Sequence, residues 1–216
     1  MVVSRIWEIY RGQFGLLFGV AAVLFAIQFA VYLLVSASAS ISLAVLFVAL
    51  SVLYQGMVVK LVQDVQDGRR DHSVGDLVRS VEPVFWRLLA VSVLAGIGVA
   101  IGFVLLIVPG LVLMVIWAVV APVTVLERPG VFAAFGRSRE LVRGNGWNVF
   151  GVLVLVFLAV IVISLVAGFA SDSLGSVGRS LVQWVVNAAV APLTALSASV
   201  LYFALQPRPD SAAEYI

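Results

Sequence analysis

The sequence predicts an all-α integral membrane protein of six transmembrane helices, folded as three hairpins with amphipathic juxtamembrane helices and both termini cytoplasmic. Three observations carry that prediction. Apolar residues make up 63% of the 216 and charged residues only 11%, against about a half and about a quarter in a soluble domain. The mean hydropathy of +1.17 exceeds what one small core can bury, so lipid must cover the remainder. Of the 13 Lys and Arg residues, all but Arg179 fall in alternate gaps between long apolar stretches, which is the charge signature of loops that stay cytoplasmic.

A crossing needs roughly twenty apolar residues, because a helix rises about 1.5 Å per residue through a hydrocarbon core about 30 Å thick. The charge-free stretch from Phe14 to Val59 is interrupted by Ser36, Ser38, Ser40 and Ser42, which divide it into spans at 16–35 and 41–59. Lys60 follows the second and can snorkel to the interface. A cleaved signal peptide is the competing reading, since Arg5 and Arg11 precede an apolar run that ends at Ala37, Ser38 and Ala39. Its length of about twenty residues exceeds the 7 to 15 or so of a signal core, which favours a retained first span.

The 39 residues from Leu88 to Leu126 would form a helix of about 58 Å if straight, nearly twice the core thickness, so the segment must turn back or protrude. Pro109 and Gly110 offer the break. With two spans here, Arg5, Arg11, Lys60, Arg69, Arg70, Arg79, Arg87, Arg128, Arg137, Arg139, Arg143 and Arg208 share one side and Arg179 stands alone on the other. With one span the split is eight against five, so charge selects spans at 88–108 and 111–126. The slightly short fourth span implies local thinning, a tight turn at membrane depth, or continuation past Glu127. Spans at 149–169 and 181–205 complete a single domain over 1–206, and 207–216 form a short cytoplasmic tail.

Two internal matches support a repeated hairpin. Residues 8–20 (EIYRGQFGLLFGV) align without gaps on 140–152 (ELVRGNGWNVFGV), and 118–126 (AVVAPVTVL) on 188–196 (AAVAPLTAL), pairing Pro122 with Pro192 and Thr124 with Thr194. Trp86 echoes Trp147.

The juxtamembrane segments are amphipathic. Val74, Leu77, Val78 and Val81 recur at i, i+3, i+4 and i+7, opposite Asp76, Arg79, Ser80 and Glu82, and Ser73 with Asp76 resembles a capping box. Val131, Ala134, Phe135, Leu141 and Val142 likewise oppose Arg137, Arg139, Glu140 and Arg143. Such helices suit the headgroup layer, where Arg79, Arg137, Arg139 and Arg143 are the candidate contacts for anionic phospholipid. The bland alternative is that they merely anchor and orient the bundle.

No Asp, Glu, Lys, Arg or His falls within a span, which weighs against a charge-coupled pump. Gln28, Gln55 and Asn187 lie at depth with Ser51, Ser92, Ser164, Thr194, Ser197 and Ser199, either as hydrogen-bonding glue between helices or as the lining of a polar cavity. Gly15 with Gly19, and Gly98 with Gly102, allow close helix approach, and intramolecular packing is favoured over dimerisation because the spans must pack anyway. Pro109, Pro122 and Pro192 are the expected helix kinks, the latter two freeing the carbonyls of Ala118 and Ala188.

No catalytic, cofactor-binding or metal-binding constellation is expected. With no Cys and one His, thiolate chemistry is excluded. Asp64, Asp67, Asp71, Asp76 and Glu82 are interspersed with Arg69, Arg70 and Arg79, as in a solvated, salt-bridged loop, and fit no EF-hand. Gly144 and Gly146 lack the preceding strand and following Lys of a phosphate loop.

The segments DGRRDHSVGDL, PGLVLMVIWAVVAPVTVLE, RSRELVRGNGWNVFGV and APLTALSASVLYFAL resemble a group of bacterial multi-pass proteins, the membrane domain associated with glycerophosphoryl diester phosphodiesterases. That resemblance implies a plasma-membrane location, in the bacterial inner membrane. The family's hydrolytic residues belong to a separate soluble barrel, whose paired histidines and acids have no counterpart here. The expectation is therefore a non-enzymatic scaffold or lipid-associated module, partnered by the bilayer, anionic headgroups and a protein at the cytoplasmic face, with no cofactor and no nucleic acid. A passive or lipid-type transporter is the alternative.

Overall fold

The structure is a computed structural model that describes residues 2–12, 14–34, 40–67, 74–171 and 174–206. Among these there are ten α-helices and no strand: α1 (Val2–Gly12), α2 (Phe14–Leu34), α3 (Ser40–Gln66), α4 (Val74–Val81), α5 (Phe85–Leu105), α6 (Ile107–Ile116), α7 (Val120–Leu126), α8 (Val131–Val142), α9 (Gly146–Ser171) and α10 (Gly175–Leu205). A 3₁₀ turn, Glu82–Val84, joins α4 to α5. Among the described residues five stretches are long and apolar enough to cross a membrane: Val45–Gln66, Gly75–Leu105, Ile107–Leu126, Gly146–Ser171 and Gly178–Leu205. A shorter apolar stretch, Leu17–Ala26, lies within α2.

Burial is polarised along the bundle. Its tightest packing joins Val58, Val59 and Val62 of α3 to Leu77 and Val81 of α4, Leu88 and Val91 of α5, Val123 of α7 and Leu196 and Val200 of α10. Gly56 permits this approach, since a Cβ there would sit 2.7 Å from Val81 Cγ1. By contrast α9 turns Phe157, Val162, Leu165, Val166 and Phe169 outward, each at least half exposed. Those side chains are uniformly apolar, as a lipid-facing surface requires.

The ambiguous 39-residue stretch does turn back, but at Leu106 rather than at Pro109 and Gly110. Leu106 is fully extended (φ −165°, ψ 154°) between α5 and α6. Pro109 is still responsible: lacking an N–H and crowding the carbonyl four residues earlier, it ends the preceding helix at Leu105 and falls within the first turn of α6, where no intrahelical bond is lost. The turn satisfies its own backbone, with Leu106 N–H donating to Gly102 O (3.0 Å) and Leu106 O accepting from Gly110 N–H (3.4 Å).

The α5 and α6 backbones approach through glycine. A Cβ on Gly98 would meet the Trp117 ring at 2.5 Å, one on Gly102 would lie 2.9 Å from Gly110 Cα, and one on Gly110 would strike the Phe103 ring at 2.5 Å. The Gly98 and Gly102 pair is thus spent within the chain, whereas Gly15 and Gly19 meet nothing within 4 Å.

Pro122 was expected to kink a continuous fourth span, and here too the chain differs. The helix stops at Ile116, residues 117–119 form a turn, and Pro122 occupies the first turn of α7. The carbonyl its missing N–H would have bonded, that of Ala118, lies within this turn, so the proline restarts a helix instead of bending one. Pro192, its partner in the sequence match, remains inside α10.

The amphipathic face of α8 also differs from expectation. Ala134, Ser138, Leu141 and Val142 are buried against the bundle, not presented to headgroups. The helix-period pattern marks a buried stripe without saying whether lipid or protein covers it, and here α5, α6, α7 and α10 do.

Candidate functional site

Two places in the fold bring polar side chains together. The first lies where α7, α8 and α10 meet. Arg137 Nε donates to Glu127 Oε2 at 2.9 Å, and its Nη1 reaches Glu140 Oε2 at 3.4 Å. Glu127 Oε1 accepts from Tyr202 OH at 2.9 Å, and that hydroxyl in turn accepts from Gln206 Nε2 at 2.7 Å. The Glu127 hydrogen bond raises the Arg137 guanidinium further above its ordinary range, with partial burial opposing, so Arg137 stays charged. Ser138, beneath it, donates to Ile116 O at 2.9 Å and satisfies a carbonyl left by the end of α6.

Of the four arginines expected at headgroups, Arg137 is consequently committed to carboxylates while still partly exposed. Arg79, Arg139 and Arg143 are exposed, and none makes an ion pair with another described residue. Phe132, Gly136 and Arg139 are spaced to share one face of α8, Arg143 caps its C-terminal end, and all four are exposed. Phe132 is 83% exposed, Trp147 at the start of α9 86%, and Trp86 at the start of α5 76%. Exposed aromatics beside cations, where apolar helices begin, match the composition of a membrane interface.

The second place is a cleft of about 310 Å³ between α2, α3 and α10. Leu24, Phe25, Leu50, Ala191 and Ala195 supply its apolar walls, with Ser51, Tyr54, Gln55 and Thr194 among them. Tyr54 OH donates to Leu17 O at 3.3 Å and Thr194 Oγ1 to Ala191 O at 2.9 Å. Gln55 and Ser51 make no side-chain hydrogen bond to another described residue.

The remaining depth residues are not gathered there. The side chain of Gln28 lies outside the described residues. Asn187 is exposed and accepts from Gln183 Nε2 (3.1 Å) along the same helix. Ser197 and Ser199 donate to Thr194 O and Ala195 O of their own helix, so these hydroxyls do not glue helices together. Near the carbonyls expected to be freed by Pro192, it is Ala189 O that accepts a hydrogen bond, from Tyr10 OH of α1 at 3.3 Å. Arg69, Arg70, Asp71 and His72 lie outside the described residues, among which no cluster of three or more metal-ligating side chains forms.

The five candidate spans make this a multi-pass helical membrane protein. No protein family, no curated protein and no solved structure matches the chain.

Proposed function

We propose that this chain is a non-enzymatic, lipid-associated module of a bacterial plasma membrane, with six spans, three hairpins and its arginine-rich end in the cytoplasm. The exposed face of α8 carries the reading. Phe132 and Trp147 supply aromatic anchors beside Arg139 and Arg143, whose guanidinium groups are uncommitted to carboxylates. An anionic phosphate at the headgroup level is the natural complement, each cation contributing about 1 kcal/mol near such a surface. Arg79 on α4 extends the same charge. The resemblance to membrane domains of phosphodiesterases agrees with an accessory role and brings no catalytic residue with it.

The test is thermal stability of the full chain in nanodiscs of phosphatidylcholine, with and without phosphatidylglycerol. Anionic lipid is expected to raise the melting temperature of the unaltered protein, and the double substitution Arg139→Gln with Arg143→Gln to remove most of that gain. An equal gain in both proteins would sink the headgroup reading.

A passive or lipid-type transporter is the second reading, favoured by the cleft beside Gln55. Proteoliposomes bearing Ser51→Phe, which fills the cleft, would show reduced lipid or solute exchange under that reading and unchanged exchange otherwise.

A further inference from the structure

The cleft between α2, α3 and α10 is a mixed surface in a place where mixed surfaces are costly. Gln55 lies about 8 Å along α3 from Lys60, and Thr194 lies about 12 Å along α10 from Tyr202, so both sit well inside the hydrocarbon. An amide at that depth whose N–H and C=O groups find no partner is strongly unfavourable. The side chain of Gln55 makes no hydrogen bond to another described residue. Ser51, one turn earlier on the same face of α3, is in the same position. Across the cleft Thr194 has committed its proton to Ala191 O and so presents only acceptor lone pairs. Gln55, Ser51 and Thr194 therefore bring donor and acceptor capacity to a cleft whose apolar walls are Leu24, Phe25, Leu50, Ala191 and Ala195.

We propose that this cleft binds an uncharged, membrane-dissolved amphiphile: an apolar chain or ring bearing one hydroxyl or carbonyl group, held by Gln55 with Ser51 and Thr194. Charge is excluded because none of the described residues that line the cleft is ionised, so nothing among them offsets the desolvation of an ion. Size limits the ligand as well, since about 310 Å³ lies at the small end of ligand pockets. The proposal rests on the membrane placement of α2, α3 and α10 but not on headgroup binding at α8.

Photolabelling in nanodiscs tests it, using a long-chain primary alcohol with a diazirine in its chain and the matching diazirine alkane without the hydroxyl. The alcohol is expected to label peptides containing 50–55 and 191–195, in competition with excess unlabelled alcohol. Gln55→Leu should lower alcohol labelling about three- to tenfold, the worth of one hydrogen bond, and leave alkane labelling unchanged. Ser51→Phe should abolish both by occupying the space. Equal labelling of the unaltered protein by alcohol and alkane overturns the proposal, as does labelling no stronger than that of the outward face of α9. Effective competition by phosphatidylcholine identifies an ordinary lipid tail and also overturns it, and absence of labelling in folded protein leaves water as the occupant. Should Gln55→Leu fail to fold, the comparison of probes and competitors on the unaltered chain still decides. The Arg139→Gln and Arg143→Gln protein should label normally, so failure of one reading is separable from failure of the other.

Discussion

Arg137 and Glu127 pair at 2.9 Å across the joint between α7 and α8, and the same carboxylate takes the hydroxyl of Tyr202 from α10. Three helices thus meet on one side chain. The ion pair is partly solvated and contributes only about 0–1 kcal/mol by itself. Removing Glu127 also strips the partner from Tyr202, a further loss of about 1 kcal/mol. Glu127→Ala should therefore lower the unfolding midpoint more than Arg137→Ala, and the double variant should fall by less than the sum in a mutant cycle. Alkali will not break the pair: a cation with a raised folded pKa stabilises below its unfolded value and loses that contribution only as pH climbs through the folded one, beyond any usable range.

Ser138 should matter although it is small. It is fully buried and its hydroxyl satisfies the partly buried Ile116 O, so Ser138→Ala leaves that acceptor unpaired and should cost about 1 kcal/mol in a denaturant titration. The neighbouring exposed substitution Arg139→Ala should leave the same titration within about 0.5 kcal/mol.

The two GxxxG motifs should respond oppositely. Gly98→Val drives a Cβ into the Trp117 ring and is expected to destabilise the α5 and α6 pair by about 1–3 kcal/mol. Gly15→Ala meets nothing within 4 Å and adds helix propensity, so its melting temperature should hold or rise. A fall of equal size in both would mean that α2 packs against something outside this chain.

What the sequence revealed, and what it withheld, follows from range. The fold-back of the 39-residue stretch was legible because length and charge are properties of a segment, though the turn at Leu106 precedes the expected Pro109 by three residues. The proline marked where the second helix begins, and Leu106 turns simply because it lies just beyond the last permitted bond. The expected spans at 149–169 and 181–205 fall within α9 and α10 for the same reason of length. The amphipathic stripe of α8 was legible too, but a stripe does not say what covers it. The Glu127 and Tyr202 contact joins residues 75 apart and left no trace in spacing. Gln55 stood out as a polar residue in an apolar run, yet only the positions of α2 and α10 distinguish it from Asn187, which bonds along its own helix.

The absence of cysteine makes topology directly testable, since any introduced thiol is unique. Gly144→Cys and Leu174→Cys should react with an impermeant maleimide from opposite sides of sealed vesicles. Leu106→Cys should react from neither side until detergent is added. Reaction of Leu106→Cys from the side of Leu174→Cys would show that the turn reaches water.

From Arg87 the helix α5 climbs about 27 Å to Leu105, short of a core about 30 Å thick. Val104, Leu105, Leu106, Ile107 and Val108 crown it, each more than two thirds exposed and none polar, while the turn's amide and carbonyl bond internally and ask nothing of solvent. An antibody, a phage or a protease arriving from the face opposite the arginines would find no handle there. Whatever this protein says to other molecules, α5 and α6 contribute almost nothing at the end of the bundle opposite Arg87 and Arg128.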